Sequence, residues 1–69
     1  MAFSNEQAFR QGVTAHKEGK LEEAQHLYQS ILHSQPQHPD ANHNLGLIAI
    51  SMNQVNAALP LFKTALDVN

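Results

Sequence analysis

Shifted along itself so that Gly12 lies on Gly46, the chain also meets its own sequence at Ala15 on Ala49, Ala24 on Ala58, Leu27 on Leu61 and Leu32 on Leu66. Conservative pairs join these identities: Val13 with Leu47, Leu21 with Val55, Tyr28 with Phe62. Gly19 meets Asn53, and both residue types tolerate the left-handed turn conformation. The identities are all small or apolar, and they fall where paired helices must touch. A repeat of this length is one supersecondary unit that cannot bury its apolar face alone, so copies must stack. The chain has few β-branched residues and no sustained apolar/polar alternation, so each copy reads as two helices and the whole as all-α.

The punctuation sets the boundaries. Ser4 and Gln7 form a capping box that opens a first helix over about residues 5–18, and Gly19 suits its left-handed stop. Leu21, Ala24, Leu27, Tyr28, Ile31 and Leu32 make the apolar stripe of a second helix over about 21–34. Pro36 and Pro39 separate the halves, with Pro39 in the tolerated first turn of a third helix over about 39–52 and Asp40 favouring its positive end. A fourth helix covers about 55–68, with Pro60 as its weak point unless Asn56 caps a late start. The two repeats therefore span 4–36 and 38–69, each an antiparallel helix hairpin.

Composition narrows the partners. A compact unit near this size buries only about 60% of its unfolded surface, so it has little core to spare. There is no cysteine, which removes disulfides and thiolate metal sites. Four Lys/Arg stand against six Asp/Glu, a balance that argues against nucleic acid and anionic membrane as partners. No run of 18 apolar residues suggests a membrane span, and the start has neither a basic nor an apolar signal region. The expected location is the cytoplasm.

The repeating residues resemble the tetratricopeptide repeat family, which has the same period of roughly 34 residues. The family pattern has a small residue within the first helix, an Ala in the second, a large aromatic four residues later, an apolar residue three further on, and a closing Pro. Gly12, Ala24, Tyr28, Ile31 and Pro36 supply it in repeat one; Leu45-Gly46, Ala58, Phe62 and Ala65 supply it in repeat two. Departures thin the core. Ala8 and Asn42 stand where an early aromatic is usual, Ala15 and Ala49 where its partner is, and Gln11 where a Leu is. The resemblance implies two stacked hairpins forming part of a right-handed α-solenoid. It also implies a non-catalytic scaffold that binds a peptide or a partner helix in its concave groove.

On that pattern the groove is lined by Phe9, Arg10, Val13, His16 and Lys17 from the first helix, and by His43, Asn44, Leu47 and Ile50 from the third. Phe9, Val13, Leu47 and Ile50 lie off the main core stripes and are expected to form its floor. Asn44 resembles the groove asparagine of O-linked glycosyltransferase repeats, whose amide can both donate to and accept from a peptide backbone. Arg10 stands at the matching place in repeat one, so there is no asparagine ladder. Phe9 and Val13 stand where a carboxylate clamp would need Lys and Asn, which removes that subfamily.

The last helix carries more apolar surface than one hairpin can cover, notably Leu59, Phe62 and Leu66. Repeat arrays end on a polar cap and run to three or more repeats. The chain stops one residue short of its second closing Pro, so two expectations follow. It is a fragment of a longer array, and it self-associates as a homo-oligomer through helix four. The alternative is the leading segment of a bacterial glycosyltransferase or sulfotransferase whose catalytic domain lies elsewhere.

No catalytic motif stands against the scaffold reading. The three glycines are isolated, no serine sits in a nucleophile elbow, and adjacent Glu22 and Glu23 point different ways on a helix. No helix is basic enough to be a DNA-recognition helix. His33, His38 and His43 are five apart and straddle a loop, which does not suit a metal; no metal or cofactor is expected. Protonating all five histidines would take the formal charge from −2 to +3, so association is expected to respond between pH 7 and pH 5.

Overall fold

The computed structural model describes residues 4–67. It has four helices: α1 (Asn5–Lys17), α2 (Leu21–Ser34), α3 (Pro39–Ser51) and α4 (Val55–Asp67). α1 packs on α2, α3 packs on α4, and α2·α3 contacts join the two hairpins. The expected bounds hold to within a residue. Glu18 and Met52, read as helical, are the C-caps of α1 and α3, and Val68 lies outside the described residues.

The repeat is reproduced in the backbone chemistry. Ser4 caps α1, its hydroxyl accepting from the Gln7 N–H (3.1 Å) while the Gln7 side chain accepts from the Ser4 N–H (3.2 Å). His38, at the place of Ser4 one repeat later, caps α3: its Nδ1 accepts from the Ala41 N–H at 3.0 Å. An imidazole does here what a hydroxyl does in α1, satisfying one free amide of the first turn. Gly19 (φ 78°) and Asn53 (φ 61°) both turn left-handed. At each, the next residue donates back to the last helical turn: Lys20 N–H to the Ala15 carbonyl (2.8 Å), and Gln54 N–H to the Ala49 carbonyl (2.7 Å). This is the Schellman closure, and it aims the second helix of each hairpin back along the first.

Small residues let the paired helices approach. A methyl group on Gly12 would sit 2.8 Å from the Tyr28 ring, and one on Gly46 would sit 2.7 Å from the Phe62 ring. Each aromatic thus lies over the glycine of its own hairpin. Tyr28 also reaches the second hairpin, through a hydrogen bond from the Asn44 amide to its hydroxyl (3.2 Å). Among the described residues Tyr28, Ile31 and Ile48 are the largest fully buried side chains, and most of the other buried apolar residues are alanines.

Two local expectations change. α4 begins at Val55, with the Gln54 carbonyl accepting from Ala57 and Ala58, so Asn56 lies in the first turn and does not cap a late start. Pro60 therefore lies inside the helix and removes the bond that the Asn56 carbonyl would otherwise accept. Both residues are exposed, so water can serve that carbonyl. Asn42 replaces an expected aromatic not as a defect but as a clamp. Its buried amide donates to the carbonyls of Pro36 (3.0 Å) and His38 (2.9 Å), fixing the link between the hairpins.

Candidate interaction surfaces

The outward faces of α1 and α3 repeat each other residue by residue, because one repeat period separates Phe9 from His43, Val13 from Leu47 and His16 from Ile50. Their environments differ. Phe9, Val13 and His16 are half-buried, and the first two pack against the core. The Phe9 ring lies 5.8 Å from both the Tyr28 ring and the His38 ring. The second hairpin reaches Phe9 through the His38 ring, and Phe9 and Val13 serve the core as well as the outer face. On α3 the matching positions are open: His43 is exposed, Leu47 is 41% exposed and Ile50 is 48% exposed.

The polar members of the group divide likewise. Arg10 and Lys17 are exposed, and Arg10 makes a surface ion pair with Glu6 (3.3 Å). Such an exposed pair contributes little to stability. Asn44 is half-buried, with its amide committed to the Tyr28 hydroxyl. Burial raises the Tyr28 pKa above its ordinary value of 10.0, partly offset by that bond.

The second surface belongs to α4. Its core side, Ala58 and Ala65, is buried against α3, while Leu59 is 61% exposed and Leu66 is 73% exposed. Phe62 is only half-exposed, since its ring covers Gly46 and lies 5.6 Å from the His43 ring. The His43–Phe62 pair (57° between planes) is the counterpart of Phe9–Tyr28 (54°). The difference lies in what covers them. An open cleft of about 380 Å³, lined by Pro39, Asp40, His43, Phe62, Ala65 and Leu66, exposes the second pair.

A second cleft of about 380 Å³ lies between Gln25 and Gln29 of α2 and Ala57, Pro60 and Leu61 of α4, above Leu45 and Ile48. The helical stripes do not mark it, since Gln25 and Gln29 are polar; the break at Pro60 is the signal that the sequence offers. Among the described residues, no three His, Asp or Glu side chains gather as a metal site would require, and no helix is long and apolar enough to cross a membrane.

Comparison with curated proteins returns no match. A family model described as tetratricopeptide repeat matches residues 15–69, from within α1 through both turns and the second hairpin. Together with the paired hairpins, the twin left-handed turns and the glycine–aromatic contacts, that match establishes that the chain belongs to the tetratricopeptide repeat family, a helical-repeat family suited to protein interaction.

Proposed function

We propose that this chain is a non-catalytic interaction module. It takes an extended peptide or a partner helix along the outward faces of α1 and α3, and a second copy of itself against α4. The observation that carries the first part is the exposure of Leu47 and Ile50, two large apolar side chains on the outward face of α3. They continue the line set by Val13 and His16 of α1. Exposed apolar residues that are contiguous and rimmed by polar groups, here Arg10, Lys17 and His43, mark interaction surfaces more often than isolated ones do. The exposed Leu59 and Leu66 support the second part.

Selection from a displayed peptide library would test the groove. Peptides captured by the chain should be lost when Leu47 and Ile50 are both changed to Ser, and weakened by Asn44→Ala. If the double variant holds the same peptides with the same affinity, α3 does not carry the groove. Sedimentation over a concentration series tests self-association separately.

A further inference from the structure

We infer that two copies of this chain pair through α4 as an antiparallel helix dimer, with Val55 against Leu66 of the second copy and Leu59 against Phe62 of the second copy. This rests on the self-association proposed above and specifies its geometry.

The four residues are spaced four, three and four apart, which places them in one stripe of the kind that seams paired helices. Most of the stripe lies off the face that α4 uses within its own hairpin. Ala58 and Ala65 are buried there, whereas Val55, Leu59 and Leu66 are all exposed; Phe62, whose ring covers Gly46, is partly buried at the border of the two faces. α4 thus has two apolar faces, and the described residues cover one.

The identity of the occupant follows from three features. First, a second copy cannot continue the stack head to tail. α3 docks by burying Ala41, Leu45 and Ile48, and the matching positions of α1 are Gln7, Gln11 and Thr14, all exposed and polar. Placed on the open end of α4, α1 would bury three polar side chains against leucine and phenylalanine, with an uncompensated desolvation cost. Second, the stripe is complementary to itself. A twofold axis between residues 60 and 61 brings Val55 opposite Leu66 and Leu59 opposite Phe62 in one register, the arrangement a closed isologous interface requires. Third, α4 has no acidic residue in its first turn and no basic residue in its last. Its macrodipole is uncompensated at both ends. Antiparallel pairing sets each positive end beside a negative end of the second copy, whereas parallel pairing sets like ends together.

A helix of 13 residues is only about 20 Å long, so the contact belongs to the small, weak class of interfaces and the dimer should be concentration-dependent. The chain has no cysteine, so single engineered thiols report cleanly. The experiment mixes the Val55→Cys chain with the Leu66→Cys chain under mild oxidation, alongside each alone, with sedimentation of the unaltered chain. The proposal expects the mixed disulfide to dominate and the Val55→Cys chain alone to cross-link little. In the antiparallel register the two copies of residue 55 are about 16 Å apart along the axis, beyond disulfide reach. Leu59→Glu with Leu66→Glu, at exposed positions, should abolish the dimer with helicity unchanged. A strong Val55→Cys homodimer would overturn the antiparallel register. A dimer by sedimentation that survives the double Glu change would overturn the α4 seam while leaving self-association standing. A monomer at every concentration would remove self-association itself.

Discussion

Tyr28 and Phe62 hold the same place in two hairpins, over Gly12 and Gly46, and each pairs with a ring on the first helix of its own hairpin. One is fully buried and the other is half-exposed. The same contrast runs through the neighbouring pair Leu32 and Leu66: the first is half-buried and the second is largely open. Local structure is shared, since caps, turns and the helix–glycine contact recur. What differs is the neighbour. The first hairpin has the second stacked on it, and α4 has no equivalent cover among the described residues. Within this molecule, burial at a repeat position is a property of the stack, while the helix that carries it is a property of the repeat.

The strongest way to break that comparison is to truncate both aromatics. Tyr28→Ala should cost about 3–5 kcal/mol, since it empties a fully enclosed site. A domain of this size has only about 3–10 kcal/mol of stability in total, so the variant should be largely unfolded by circular dichroism at room temperature. Phe62→Ala should cost less, about 1–2 kcal/mol by urea titration, because its ring is only partly buried and borders an open cleft. Equal losses would mean that the two ends are equally covered.

Asn42→Ala comes next. The Pro36 carbonyl loses its side-chain donor, the His38 carbonyl keeps only the residue-42 N–H, and the expected cost is about 1–3 kcal/mol. The loss should appear as weaker coupling between the hairpins, with a broader urea transition. An unchanged transition would show that water replaces the amide.

The glycine pair sharpens the contrast with a smaller effect. Gly12→Ala forces a methyl against an enclosed ring and should destabilise by about 1 kcal/mol net, after the gain in helix propensity. Gly46→Ala makes an even closer contact, but the Phe62 ring borders an open cleft and can swing aside. It should be near neutral, and thermal melts of the two variants would rank them.

The smallest effect is alkaline. Tyr28 is the only tyrosine, so phenolate absorbance reads it directly. Its folded pKa is raised above 10.0, so as pH passes the unfolded value the unfolded chain releases its proton while the native chain retains it. The stabilisation is fully present below the unfolded value and is lost as pH rises through the folded pKa. Tyr28→Phe should flatten that decline relative to the parent. An identical slope would mean that the phenol is as well solvated folded as unfolded.

Much of this protein is legible in its residues alone. The four helices, the Ser4–Gln7 box, the Pro39 start and the two left-handed turns all depend on residues within a few positions of each other, where hydrogen bonding and backbone sterics decide, and the period shows as their recurrence. Other features escape that logic. His38 reads as a loop histidine and Asn42 as a missing aromatic; their bonds to Ala41 and to the Pro36 and His38 carbonyls are local, but neither residue type signals them. Phe9 and Val13 look exposed by helical phase, yet both pack in part against the core, Phe9 beside the His38 ring, while Leu47 and Ile50 at the same phase stay open. Which helices form and where they turn is written in the order of the residues, because those choices are local. Which apolar faces are covered is settled by the packed fold, because burial depends on which surfaces meet, and similar stripes on α2 and α4 meet different neighbours.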